Sequence, residues 1–138
     1  MGMSSPPILL DHITLTVPDL VAAQVFYDAA LTPLSVERVV EYVDPEDEDE
    51  AGVEAVGYAG PDEHVVLWLV VGAHATRGLH LSFRASDTQA VKAFFDAAVH
   101  AGGKRYQSPR PWQIYRPGAF AAMVSDPYGN IIEASTRQ

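Results

Sequence analysis

The chain has 138 residues, enough for one domain with a sizeable core, and its 48% hydrophobic content excludes whole-chain disorder. Ten glycines and ten prolines argue against an all-helical bundle. Eighteen acids against nine bases give a net charge of −9, which argues against a nucleic-acid partner and against docking on an anionic membrane, and the absence of cysteine excludes disulfides, thiolate catalysis and Cys-ligated metals.

Residues 1–7 carry neither a cationic segment nor an apolar run, so no signal peptide is expected there, and Pro6 rules out myristoylation at Gly2. No apolar run approaches the roughly 20 residues of a membrane span. The expectation is a cytoplasmic protein.

From His12 the pattern alternates. Ile13, Leu15 and Val17 fall on one side, His12, Thr14 and Thr16 on the other, which predicts a strand. Asp19 stands where a helix N-cap belongs, and Ala22, Phe26, Ala29 and Ala30 form one apolar stripe behind it. Thr32-Pro33 ends that helix, and strands are expected over 34–41, 53–58 and 65–71. Between the first two, residues 44–50 hold six acids and one proline and read as a solvated, self-repelling loop.

The same pattern returns at an offset of 68. His80-Leu81-Ser82-Phe83-Arg84-Ala85-Ser86-Asp87 lies over His12 to Asp19, Phe94 over Phe26, and Asp96-Ala97-Ala98 over Asp28-Ala29-Ala30. A second helix follows Asp87 and stops at Gly102-Gly103. His100, near its end, is favourably placed against the helix dipole. Strands are expected over 104–107, 120–125 and 130–134, with 126–130 as a hairpin turn. Residues 108–117, with three prolines, Trp112, Tyr115 and two arginines, read as an ordered loop over a cavity or at a dimer contact. The fold class is therefore α+β: a single domain over 1–138 built from two duplicated βαβββ modules, about 8–72 and 78–136. The apolar stripe of each helix is expected to cover one face of its sheet. His74 falls in the joining loop.

Histidines at equivalent positions of duplicated strands are related by a pseudo-twofold axis and can face each other if the sheets join. Glu133, flanked by Ile131, Ile132 and Ala134, is expensive to bury unless paired or bound to a cation. Two histidines and a carboxylate make a facial triad with open coordination positions. His12, His80 and Glu133 are the candidate metal ligands.

The pieces Asp11-His12-Ile13, Val17-Pro18-Asp19-Leu20, Phe26-Tyr27, Leu79-His80-Leu81-Ser82-Phe83 and Asp126-Pro127-Tyr128-Gly129-Asn130-Ile131-Ile132-Glu133 resemble the vicinal-oxygen-chelate superfamily, which includes glyoxalase I, bleomycin-resistance proteins and extradiol dioxygenases. The resemblance runs from about Leu9 to Ser135. It implies paired βαβββ modules forming a cupped mixed sheet with the helices on the outer face, commonly a homodimer, and His12, His80 and Glu133 at the family's metal positions. The fourth family position falls on Trp68, where glyoxalase I and related epimerases carry a carboxylate or amide. Tryptophan neither binds the ion nor acts as a base, and Glu63 and His64 lie before the strand. The remaining set resembles three-ligand members, such as extradiol dioxygenases with Fe(II) and fosfomycin-resistance transferases with Mn(II). Thr14 and Trp68 also resemble the latter group.

The resemblance thus implies a metal-dependent lyase, isomerase, dioxygenase or transferase acting on a small vicinally oxygenated molecule, with a divalent cofactor (Fe, Mn, Ni, Co or Zn). Tyr115 and Glu133 are the catalytic candidates. Thr14, Thr16, Trp68, Ser82, Arg84, Tyr115 and Arg116 are candidates for the substrate wall, although Trp68 is equally readable as core. The alternative is a metal-free binding protein of the bleomycin-resistance kind. The site is built within one chain, or shared by a swapped dimer in which His12 and Trp68 face the partner's half.

Overall fold

The computed structural model describes residues 9–46 and 52–137; residues 1–7 and the acidic positions 47–50 of the sequence-predicted loop lie outside them. The first module runs β1 (Ile13–Val17), α1 (Leu20–Leu31), a 3-10 turn (Thr32–Leu34), β2 (Glu37–Tyr42), β3 (Ala55–Ala59) and β4 (Val65–Val71). The second runs β5 (His80–Arg84), α2 (Thr88–His100), β6 (Lys104–Pro111), β7 (Phe120–Ser125) and β8 (Ile131–Ser135). Each makes a four-stranded sheet of the same order, β1-β4-β3-β2 and β5-β8-β7-β6. The first and last strands of each module pair in parallel and the other neighbours antiparallel.

The local chemistry explains both copies. The Asp19 carboxylate accepts from the Ala22 amide at 3.1 Å and the Asp87 carboxylate from the Ala90 amide at 2.8 Å, satisfying orphan donors at each helix start. Pro33 opens the 3-10 turn after α1, and Ser35, in left-handed conformation at φ 60°, redirects the chain. This is why β2 begins at Glu37 rather than at the expected position 34. A second difference is β6, which extends to Pro111. Antiparallel pairing of Arg110 with Ala121 and of Pro111 with Phe120, reached through two register shifts, converts the first part of the expected loop into strand. The ordered turn is confined to 112–118.

Leu15 and Val17 of β1, Phe26 and Tyr27 of α1, and Leu67 and Leu69 of β4 are buried in one core with Phe94, Val124 and Ile132 of the second module. Fully burying a side chain of this size contributes roughly 1.5–3 kcal/mol. The modules approach so closely at Gly103 that a Cβ there would lie 2.7 Å from the Phe26 ring and 2.9 Å from the Ala98 carbonyl. Among the described residues no helix is long and apolar enough to cross a membrane.

The seam between the modules is tied by the short linker. The Thr16 amide donates to Thr76 Oγ1 at 2.9 Å, and the Thr76 amide donates back to the Thr16 carbonyl at 2.8 Å. Asn130 reaches the same linker from the turn before β8, donating from Nδ2 to the Thr76 carbonyl at 2.8 Å and accepting from the Leu79 amide at 3.1 Å. β1 thus ends beside the linker that leads into β5. At its other end, Leu10 to Ile13 border a common cavity with Leu81 to Arg84. The two edge strands run past each other in opposite directions within one chain.

Candidate functional site

Leu81 and Phe83 of β5 and Ile132 and Ala134 of β8 belong to or pack on the helix-side core. Alternation therefore puts His80, Ser82 and Arg84, and with them Glu133 and Ser135, on the opposite, open face. Glu133 is nevertheless fully buried. Its Oε1 accepts from His80 Nε2 at 2.6 Å and from the Tyr115 hydroxyl at 2.8 Å. Its Oε2 is buried and has no hydrogen-bond partner among the described residues. A buried carboxylate oxygen left in that state costs about 1–3 kcal/mol or more, because nothing replaces the water it has lost. The missing partner is a donor or a cation.

Tyr115 comes from the turn 112–118. Partial burial and then its hydrogen bond to Glu133 raise the phenol pKa above 10.0, so the hydroxyl remains a proton donor at neutral pH. Arg116 follows it and lies near enough to act in the opposite sense on that phenol. Ser82 Oγ lies 3.3 Å from Ser135 Oγ, one rung along the same face.

His12 stands just before β1. Its Nδ1 bonds Asp11 Oδ1 at 2.7 Å, and that hydrogen bond is the main cause of the lowered Asp11 pKa. His64 joins the pair, with Nε2 2.9 Å from the Asp11 carbonyl oxygen and 3.6 Å from Oδ2. Among the described residues, Nε2 of His12 has no partner. A carboxylate on one ring nitrogen with the other left free is the arrangement that orients a metal-binding imidazole. His12 borders a cavity of about 210 Å³ with Asp11, Ile13, Val66, Ser82 and Arg84. Even so, no group of three His, Asp or Glu side chains among the described residues is arranged to hold an ion. His80 and Glu133 are brought together, and His12 stands with Asp11.

The other candidates divide. Thr14 pairs with Trp68 across β1 and β4, the rung equivalent to that of Ser82 and Glu133, so Trp68 does occupy the place that carries Glu133 in the second module. Its ring lies over Gly57, where a Cβ would be 3.2 Å from Cζ3, and it lines an open hollow of about 530 Å³ with Val39, Val40 and Val65. That hollow is separate from the His12 cavity. Thr16 is engaged in the seam, and its Cγ2 lies 2.4 Å from where a Cβ on Gly72 would stand. Arg84 borders both the His12 cavity and a larger one of about 440 Å³ at the start of α2. His74 is an exposed linker residue, and His100 sits in the last turn of α2.

Three residues escape sequence reasoning. Asp11 is visible as part of the Asp-His pair but carries no periodic signal of its role. His64 reaches it only because β1 and β4 are parallel neighbours. Gln107 of β6 is half-buried, with a buried Nε2 that has no hydrogen-bond partner among the described residues. Nothing in its local sequence marks it.

Comparison with known proteins agrees with this architecture. A search of curated proteins returned no match. Among solved structures, a glyoxalase/bleomycin resistance protein from Albidiferax ferrireducens T118 superposes with a TM-score of 0.73 at 24% identity, covering 95% of this chain and 100% of that one. A glyoxalase-related enzyme from Fulvimarina pelagi gives 0.65 at 21% identity over 93% and 87% of the two chains. A lactoylglutathione lyase from Agrobacterium tumefaciens gives 0.63 at 20% identity over 96% of each. The family model of the glyoxalase/bleomycin resistance protein/dioxygenase superfamily matches residues 9–134, and the chain belongs to that superfamily.

Proposed function

We propose that this protein is a metal-dependent enzyme acting on a small vicinally oxygenated molecule, with His12, His80 and Glu133 holding a divalent ion. The observation that carries the reading is the Glu133 carboxylate. It is fully buried, oriented through one oxygen by His80 and Tyr115, and unpartnered among the described residues at the other. His80 and Glu133 supply two donors suited to a divalent ion, and His12, with Nδ1 on Asp11 and Nε2 unbonded among the described residues, is the proposed second imidazole. A bound divalent ion would supply Lewis acidity toward a carbonyl or hydroxyl of the substrate. Tyr115 donates its hydroxyl hydrogen to Glu133 and is the proposed group for holding a proton beside that carboxylate. A cavity beside His12 admits only a small molecule.

The test is a titration of chelator-stripped protein with Mn(II), Fe(II), Ni(II), Co(II) and Zn(II), followed by thermal stability, with His12→Ala and Glu133→Gln alongside. A native-state ligand at about 100 times its dissociation constant adds roughly 2.7 kcal/mol. The expected result is a shift with at least one metal that both substitutions abolish. The absence of a shift with every metal, in a folded protein, overturns the reading in favour of a metal-free binding protein.

A further inference from the structure

The two halves of the chain differ sharply in charge. Residues 1–72 carry fourteen acids and one base, whereas residues 73–138 carry four acids and eight bases. The net negative charge therefore belongs to the first module, and the second is a basic body able to hold an anion locally.

A cavity of about 440 Å³ opens at one end of the second sheet. β5 and β8 run parallel, with Arg84 opposite Ser135, so both strands end at the same level. From there the chain leaves in two directions, through Ala85, Ser86 and Asp87 into α2, and through Thr136 and Arg137 beyond β8. These segments and Gly118 of the turn 112–118 make the wall. Divergence of the chain beyond the carboxyl ends of parallel strands is a common origin of ligand crevices. The volume falls in the roughly 300–1,000 Å³ range of small-molecule sites.

The same place in the first module is closed. By strand register Thr16 stands where Arg84 does, and Gly72 where Arg137 does. There the linker lies against the strand end, with Thr76 taking both backbone groups of Thr16. The Thr16 methyl presses on Gly72 so closely that a Cβ would lie 2.4 Å away. In the second module the matching end is open, and a guanidinium stands at each of the two equivalent places.

Neither Arg84 nor Arg137 has an acidic partner among the described residues. The one acid on the wall, Asp87, holds the Ala90 amide at 2.8 Å and so already serves the first turn of α2. Ser86 and Thr88 bring two hydroxyls. A carboxylate is satisfied by one guanidinium fork in one plane. Two forks on separate chain segments, with hydroxyls beside them, match a tetrahedral dianion that offers oxygens in several directions.

We propose that this cavity is a small-molecule site that takes a phosphate monoester. Arg84 and Arg137 hold the phosphoryl group, and the rest of the molecule lies along the wall of Gly118 and Thr136. The site shares only Arg84 with the His12 cavity, and it does not depend on an ion at His12, His80 or Glu133.

The test uses chelator-stripped protein in phosphate-free buffer, so that no metal binds the probes. Glycerophosphate, glycerate, glycerol and inorganic phosphate are titrated calorimetrically. Glycerophosphate is expected to bind at least about tenfold more tightly than glycerate, more tightly than inorganic phosphate, and glycerol not at all. Arg84→Gln and Arg137→Gln should each weaken it about tenfold, while Arg105→Gln, at an exposed base outside the cavity, should leave it within about twofold. Both lining arginines are exposed, so melting temperatures should stay at the wild-type value. Amide chemical shifts should move at 84–88, 118 and 136–137. No binding of glycerophosphate, or binding that the two lining variants leave intact, overturns the site. Equal weakening by Arg105→Gln also overturns it, as diffuse attraction to the basic module. Glycerate binding as tightly as glycerophosphate overturns the phosphate assignment. Inorganic phosphate binding as tightly overturns the ester assignment and leaves an adventitious ion only.

Discussion

Tyr27 on α1 donates its hydroxyl to Asp126 Oδ2 at 2.5 Å, across 99 residues of sequence. Asp126 opens the turn into β8, and its other oxygen accepts from the amides of Tyr128 and Asn130. The first module's helix therefore helps to set the turn that delivers Glu133. Tyr27→Phe is expected to cost about 1–2 kcal/mol in chemical denaturation, because it leaves a buried carboxylate short of one donor. Metal or ligand affinity at Glu133 should fall in the same variant. A loss of stability with unaltered affinity would show that the turn holds its place without the bond.

The same phenol and that of Tyr58 set the alkaline limit. Burial first, and then Asp126 or Asp28, raise both phenols above 10.0. In the unfolded chain each ionises near 10, so above that pH the unfolded state has released protons that the native state keeps. Stability then falls as pH rises. Stability measured from pH 8 upward is expected to be level to about pH 10 and to decline beyond it. Tyrosinate absorbance should show these two rings ionising only with unfolding.

Glu133→Gln separates function from stability in a different way. A carboxamide keeps an oxygen for the His80 and Tyr115 donors and removes the charge that burial penalises. Metal-free Glu133→Gln is expected to melt no more than about 1 kcal/mol below wild type, or above it. A large fall would mean that the His80–Glu133 contact is a structural ion pair.

Gly57→Ala tests the aromatic wall. The added methyl would meet Val40 Cγ1 at 2.8 Å, Val65 Cγ1 at 2.9 Å and the Trp68 ring at 3.2 Å. Overpacking of this kind costs about 1–3 kcal/mol. The ring is displaced toward solvent, so a red shift in tryptophan emission should accompany the loss. Emission identical to wild type would place the strain on the valines alone.

The duplicated plan was legible because it rests on local chemistry. Alternation in β1 and β5, Asp19 and Asp87 as caps, and the turn before β8 each announce themselves within a few residues. The contact between His80 and Glu133 follows from one parallel strand pair. What the chain hides is lateral. Gln107 reaches the row of Glu133 only through the register shifts of β6, and His64 reaches Asp11 only through neighbouring strand ends. The length of β6 was missed for the same reason, since prolines at a sheet edge lose no ladder partner there.

Thr14 with Trp68 and Ser82 with Glu133 are the same rung of two copies of one module, yet one ends in an indole and the other in a carboxylate. The duplication is thus symmetric in backbone and asymmetric in chemistry: Trp68 turns to a hollow with Val39, Val40 and Val65, while Glu133 is held by His80 and Tyr115. The two modules share one scaffold and present different open faces.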